Sequence, residues 1–388
     1  MRELRIALMG AGFMGRAHSF GYRVLPVVFR PPVLYRMAVM CSAYEHEREL
    51  AVQYGWDEWT DDWGAVIDRP DIDVIDICLP GSLHREVALA AARAGKHVLC
   101  EKPLANCYQE GVEMEAAVRE AKVNNMVAFC MRHLPAVHLA KELVEEGRLG
   151  EIWHWRGTWL SDWLVDPRVP ITWRLQRELA GSGALGDIGA HIVDLALHLM
   201  GGITEVVGMS KTAIGRRPVI DASQAKQAVS VVGATEMGDV TVDDAAAWLA
   251  QFDNGAMGTF EVSRVANGDK ELSGFEINGS KGSLRYDYRI MNELQYLSLE
   301  DHPRVQGFRT IVVGDQKHHR FMGNWWVNGH LIGYEALFVH QIYELLSAIA
   351  EDRPASPSFA DGVACQRVLE AVGRSLESRS WVGVGSVS

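Results

Sequence analysis

An apolar run, Leu4 to Met9, is followed at once by Gly10-Ala11-Gly12-Phe13-Met14-Gly15 and then by a helical pattern reaching Leu25. A strand that breaks on three glycines and re-enters the chain as a helix admits few topologies. The first glycine allows a tight turn, the second lets backbone approach a pyrophosphate, and the third lets helix and strand pack closely. The helix start then turns its free N–H groups toward the anion. Gly10, Gly12 and Gly15 are therefore candidate dinucleotide-binding residues.

The first third continues the alternation. Apolar runs at Tyr35 to Cys41, Val74 to Leu79, Lys96 to Cys100 and Val127 to Cys130 are separated by helical patterns at Glu45 to Tyr54, His84 to Ala94 and Tyr108 to Asn124. This is the signature of β-α-β units on a parallel sheet, and we close that domain at residues 1–130. Phe29-Arg30-Pro31-Pro32 interrupts the first crossover and is expected as a loop, because paired prolines do not continue a helix. Beyond it, residues 131–388 read as an α+β domain. Ile152 to Leu160 alternates, Ala245 to Phe252 joins Met257 to Ser263 through Asn254-Gly255, and Glu271 to Ile277 joins Ser283 to Tyr288 through Gly279-Ser280-Lys281-Gly282. The expected architecture is a large, mostly antiparallel, open-faced sheet, followed by helices at Glu335 to Glu351 and Asp361 to Glu377. Residues 214–243, polar and rich in small side chains, are expected as loop.

Composition narrows the partners. A formal net charge of -12 over 388 residues repels nucleic acid and anionic lipid surfaces. The six cysteines show no Cys-x-x-Cys pair and no zinc-ligand spacing, so no metal is expected and the thiols read as reduced. With no signal-peptide pattern at the start and no apolar run of about 18 residues, neither secretion nor a membrane span is expected. A cytoplasmic setting follows.

Two segments carry chemistry. Lys102, in Cys100-Glu101-Lys102-Pro103, stands at the carboxyl end of a predicted parallel strand, the edge where such sheets bind ligands. A lysine there can donate to a hydroxyl whose oxygen gains negative charge as hydride leaves. Gly181-Ser182-Gly183-Ala184-Leu185-Gly186 then leads into a helix on which Asp187, His191, Asp194 and His198 would fall at offsets 0, 4, 7 and 11, one polar stripe on an otherwise apolar helix. With an ordinary pKa of about 6.5, His191 can accept a hydroxyl proton near neutral pH, which contributes roughly 10² to 10⁴ in rate. Asp187 would orient that imidazole or bind a neighbouring hydroxyl. Asp194 and His198 read as structural hydrogen bonders.

The glycine turn, the Glu101-Lys102-Pro103 tripeptide and Asp187-x-x-x-His191, in this order along nearly the whole chain, resemble the glucose-fructose oxidoreductase and inositol dehydrogenase family (Gfo/Idh/MocA). The resemblance implies a Rossmann domain, nicotinamide-dependent oxidation of a secondary hydroxyl on a sugar, glycoside or inositol, and the roles above for Lys102, Asp187 and His191. It adds Phe13, Met14, Leu79, Pro80, His84 and Glu101 to the expected cofactor contacts. Gly157 to Trp163, Trp173 to Gln176, Ala180 to Asp187 and Pro357 to Gly362 are most similar to members that oxidise the C3 hydroxyl of a levoglucosan-type anhydrosugar.

Ser42 ends the second strand where an acid ordinarily holds the ribose diol of NAD, yet no arginine adjoins it to grip a 2′-phosphate; NAD(H) and NADP(H) both stay open. Trp153, Trp155 and Trp159, all odd-numbered on one strand, are expected in the core. Trp163 and Trp173 could wall a sugar site, Arg132 and Arg174 could bind ring hydroxyls or form surface ion pairs, and Trp325-Trp326 could line a pocket or an oligomer contact. A glycosidase that uses NAD transiently differs by turnover without NADH accumulation. A non-catalytic sugar or dinucleotide sensor would need neither Lys102 nor His191. An open sheet face needs cover, so a homodimer or homotetramer is expected.

Overall fold

The computed structural model describes residues 3–221, 229–231, 233 and 236–388. The chain divides into two compact units. The first comprises Met1–His133, Asn324–Trp326 and Ile332–Ala364, and the second Leu134–Gly323, Val327–Leu331 and Cys365–Ser388. No helix among the described residues is long and apolar enough to cross a membrane.

In the first unit, β1 (Leu4–Met9), α1 (Phe13–Val28), β2 (Tyr35–Cys41), α2 (Arg48–Tyr54), β3 (Glu58–Thr60), α3 (Trp63–Ile67), β4 (Val74–Ile77), α4 (Gly81–Arg93), β5 (His97–Cys100), α5 (Tyr108–Ala121) and β6 (Asn125–Val127) follow in order. The six strands are parallel, in the order β3-β2-β1-β4-β5-β6. Ile6, Ala7, Leu8 and Met9 are all at 0% exposure, as expected of a parallel strand covered on both faces. The order reverses between β1 and β4, and the crevice beyond their carboxyl ends is where such sheets bind ligands. Phe29 to Leu34 forms the expected loop after α1. Helix α10 (Glu335–Ala350) lies against α1 at Gly21, where any Cβ would come within 2.6 Å of the Ile342 side chain and 3.1 Å of Phe338 backbone.

In the second unit, α6 (Pro135–Glu145) precedes β7 (Ile152–Leu160), and α7 (Arg177–Ala180), α8 (Ala184–Asp187) and α9 (Gly189–Met200) precede β8 (Ile203–Lys211). There follow β9 (Arg216–Pro218), β10 (Met237–Asp239), β11 (Ala245–Phe252), β12 (Met257–Ser263), β13 (Leu272–Gly279), β14 (Gly282–Asp287), β15 (Glu293–Ser298) and β16 (Arg309–Val312). Helix α11 (Phe359–Ser378) crosses from one unit's residues into the other's, and β17 (Val382–Gly383) ends the series. A nine-stranded sheet runs β16-β15-β14-β13-β7-β12-β11-β8-β17. It is antiparallel except at β7–β12. Both expected hairpins, β11–β12 and β13–β14, are present, the first turning on Gly255 at φ 85°.

Two expectations need correction. Residues 214–243 are not simply loop: β9 and β10 pair as a small antiparallel sheet, while 222–228, 232 and 234–235 lie outside the described residues. Its anchor is Arg217, fully buried, which donates to the carbonyls of Leu164 (2.6 Å) and Asp166 (2.9 Å). A polar-looking segment thus sends a charged side chain inward. The three strand tryptophans also part company. Trp155 is fully buried and stacks on Phe275 at 5.4 Å, but Trp153 is 55% exposed. The register along β7 skips from His154, opposite Asn278, to Ile152, opposite Gly279, so Trp153 is the extra residue of a bulge and leaves the alternation.

Candidate active site

Gly10, at φ 108°, sits where a Cβ would come within 2.6 Å of the Cys78 carbonyl, so the glycine turn is pressed against the end of β4. A Cβ on Gly15 would lie 2.0 Å from the Gly10 carbonyl, which makes Gly15 the packing glycine. Gly12 is different: nothing stands within 4 Å of its Cβ position. It caps α1 without any side-chain hydrogen bond, and Phe13 beside it is 61% exposed. The start of a sixteen-residue helix is therefore open.

Several expected cofactor contacts have partners within the chain. The Ser42 hydroxyl is buried and accepts from Trp59 Nε1 at 2.8 Å, with the Arg48 guanidinium 5.3 Å from the centre of the Trp59 ring. His84 is a strut: its Nε2 lies 2.9 Å from the Leu79 carbonyl and its Nδ1 3.1 Å from that of Pro103, and burial pushes its pKa down. Leu79 and Pro80 form the turn into α4 that this strut holds. The Glu101 carboxylate is buried, meeting His18 Nε2 at 3.1 Å and accepting the Lys102 backbone N–H at 3.0 Å. Lys102 itself, partly exposed, follows β5 at the sheet's carboxyl edge. Arg132 is taken up by Asp361 at 3.0 Å. Trp325 donates to His340 Nε2 at 2.7 Å, while Trp326 stays 53% exposed.

In the second unit the expected single helix is broken. Asp187 ends α8 and His191 lies in the first turn of α9, with Ile188 between the two helices, so the four polar residues do not share one continuous face. The start of α8 is anchored by Asp243, whose two carboxylate oxygens accept the N–H groups of Gly183 and Leu185, each at 2.8 Å. Only glycine fits at 183, because a Cβ would fall 1.8 Å from the Asp243 carbonyl. Beneath Asp187 is Arg264, its side chain fully buried, with Nη1 3.7 Å from the Asp187 carboxylate and Nη2 donating to the Asp243 carbonyl at 2.8 Å.

His191 is 7% exposed, and its ring stacks on Trp159 with centroids 4.8 Å apart and planes 23° apart. Gly157 permits this approach: a Cβ there would meet Ile192 at 2.4 Å. Trp159, expected in the core, is thus a wall of the histidine's site. Trp163 packs on the cluster of Leu164, Val169, Leu175, Val240 and Val242 and lies under Arg264, 5.7 Å from ring centre to guanidinium. Arg174 lies over Trp173 at 4.3 Å. Sequence reasoning missed Trp159, Asp243 and Arg264, and none of them carries a local signal.

Residues 4–129 match the oxidoreductase family with an NAD-binding Rossmann fold, and residues 137–285 match the GFO/IDH/MocA C-terminal domain. The chain belongs to the GFO/IDH/MocA oxidoreductase family. Levoglucosan dehydrogenase of Pseudarthrobacter phenanthrenivorans is 41% identical over 392 residues, covering 100% of each chain. The solved structure of levoglucosan dehydrogenase in complex with NADH and levoglucosan has a TM-score of 0.92 at 39% identity, over 99% of this chain and 100% of that one. An oxidoreductase domain protein from Kribbella flavida has a TM-score of 0.93 at 44% identity, over 99% and 100%.

As a GFO/IDH/MocA member the chain carries an NAD-binding Rossmann domain, and its residues fit a dinucleotide. The space left open at Gly12 and the uncapped start of α1 together form a cradle for a pyrophosphate. Gly10, Gly12 and the N–H groups at Phe13 and Met14 would hold it.

Proposed function

We propose that this oxidoreductase oxidises a secondary hydroxyl of a cyclic sugar, an anhydrosugar of the levoglucosan type foremost, to the ketone, with NAD(H) as its working cofactor. The carrying observation is His191, held nearly buried against Trp159 at the start of α9, in a chain 41% identical along its whole length to a levoglucosan dehydrogenase. A bound nicotinamide supplies the hydride acceptor. The chain's own residues handle the proton and the charge. His191 accepts the hydroxyl proton, Lys102 donates to the hydroxyl oxygen and stabilises its growing negative charge, and Asp187, backed by Arg264, orients imidazole and substrate. Trp173 and Arg174 are candidate sugar contacts. The reaction is assigned to the cytoplasm and the enzyme to a homodimer or homotetramer, joined through the open face of the large sheet.

The test is initial-rate formation of reduced cofactor from NAD or NADP with levoglucosan, myo-inositol, scyllo-inositol, glucose and glucosides. NADH is expected with levoglucosan, at a higher kcat/KM for NAD than for NADP. His191→Ala is expected to lower kcat by roughly 10² to 10⁴, and Lys102→Ala by a comparable factor. Full activity in either variant would overturn that residue's role. Sugar conversion without accumulated NADH would replace the dehydrogenase by a hydrolase that uses the cofactor transiently.

A further inference from the structure

The mechanism above leaves unused a deeply buried ionisable cluster of the first unit. His18, on α1 one turn past Gly15, is at 0% exposure. Its Nδ1 lies 2.9 Å from both carboxylate oxygens of Asp76 on β4, and its Nε2 lies 3.1 Å from Glu101 Oε1 at the end of β5. The other Glu101 oxygen accepts the backbone N–H of Lys102 at 3.0 Å. One ring therefore spans two neighbouring parallel strands and ends on the residue bonded to Lys102.

We propose that His18 is a positioning residue for the reaction. Its ring, tied to Asp76 and Glu101, fixes the Glu101 carboxylate, which in turn holds the Lys102 backbone so that the lysine leaves β5 in one direction. Both ring nitrogens face carboxylate oxygens, and a ring with an N–H on each side satisfies both at once. Burial is the largest single influence and opposes a charged imidazole, but Asp76 and Cys78 together outweigh it, and the His18 pKa is raised well above the ordinary value. The titratable groups around the ring are Tyr22 on α1, Asp76 on β4 and Cys78 just after it, Cys100 on β5 and Glu101 just after it, and Cys130 after β6. From α10 the apolar Phe338 packs on it, its ring 5.6 Å away. Burial raises the pKa of Tyr22, Cys78, Cys100 and Cys130, which keeps them neutral and leaves the two carboxylates as the partners of the ring. A buried, charge-assisted chain of this kind is stiff because each member is costly to leave unpaired.

The inference rests on the role given to Lys102, and the two fail differently. If Lys102→Ala keeps full activity, that role is gone; if Lys102→Ala is impaired but the His18 variant is not, only the present inference falls. Since His18→Gln alone would leave two buried carboxylates facing each other, the variant to use is His18→Gln with Asp76→Asn, which removes one positive and one negative group together. It is expected to melt within about 5 °C of the parent. NAD should bind it within about threefold, with kcat lower by about tenfold to a hundredfold, the mark of a misplaced group rather than a damaged binding site. A kcat within about twofold of the parent, or a fall in kcat matched by an equal fall in NAD affinity, overturns the proposal. Nitrogen-15 spectra of the unsubstituted protein decide the case independently of any variant. His18 is expected to hold both ring protons from about pH 6 to about pH 8, and a neutral ring near pH 7 overturns it.

Discussion

Three glycines in one turn do three separate jobs, and substitution separates them. Gly12 has open space at its Cβ and an ordinary φ of -67°, so Gly12→Ala should fold normally, with a melting temperature within about 2 °C of the parent. Its methyl would occupy the space meant for the pyrophosphate, and NAD affinity should drop by about tenfold or more. Gly15→Ala should do the reverse: a Cβ 2.0 Å from the Gly10 carbonyl forces backbone apart and is expected to cost about 2 kcal/mol of stability, read by urea unfolding without cofactor. Equal effects of the two substitutions on unfolding would contradict the assignment. The Trp159–His191 stack is open to a similar test. Such a contact is worth about 0.5–1.5 kcal/mol, so Trp159→Leu should lower kcat by roughly two- to twelvefold while Trp159→Phe retains most activity. What the sequence offers at this scale is chemistry carried by residue type: Lys102, Asp187 and His191 stand out as candidates because few side chains polarise hydroxyls or move protons. Trp159, Arg264 and the inward turn of Ser42, His84 and Glu101 were not legible, since each depends on a partner far along the chain or on another strand.

At the level of elements, periodicity identified β1, β2, β4 and β5, both hairpins and the two long C-terminal helices, because each repeats its apolar pattern over several residues; the three-residue β3 left no such pattern, and the run Val127 to Cys130 meets β6 only at Val127. It failed where one residue breaks the period. Ile188 divides α8 from α9, and the extra residue at Trp153 resets the faces of β7; neither event changes the composition that a pattern reads. Contacts between distant elements left still less trace. Arg132, an expected sugar ligand or surface ion pair, instead ties the segment after β6 to the start of α11 through Asp361, whose other oxygen accepts from the Ser358 N–H and hydroxyl. Burial raises the Asp361 pKa, but Arg132 and the Ser358 bonds outweigh it, and the folded value is lowered. A lowered carboxyl pKa contributes stability that is present above the unfolded value, near 4, and lost as pH falls through the folded value. Arg132→Ala should therefore destabilise by about 2 kcal/mol near neutral pH, less than a fully buried pair because the Asp361 side chain is 33% exposed. The difference should shrink as pH falls below about 4, and urea unfolding at both ends of that window would show it. A pH-independent difference would mean that Arg132 acts by packing alone.

For the molecule as a whole, the open face of the nine-stranded sheet is the feature that one chain alone leaves unexplained. Its inner face is closed by stacked aromatics, Trp248 on Phe260 at 4.9 Å and Trp155 on Phe275, with α9 above them. On the outer face, two cross-strand rows run Val207–Leu249–Thr259–Arg156 and Met209–Ala247–Glu261–Thr158. Met209 is 73% exposed, Leu249 44% and the neighbouring Met257 53%, a contiguous apolar patch rimmed by Arg156 and Glu261. Patches of this kind are uncommon on monomers, because water around aligned apolar side chains is released when a second surface covers them. The rim suits a two-fold pairing, in which the arginine of one copy can meet the glutamate of the other. A single dimeric or tetrameric species is expected by light scattering at micromolar concentration, and Leu249→Glu with Met209→Glu should dissociate it, since each buried carboxylate would lack a partner. The α9 histidine stacks on Trp159 at the sheet's inner face, and the glycine turn belongs to the first unit, so the dissociated variant should still bind NAD. A monomeric parent protein would leave the patch without this partner and refer it to another surface.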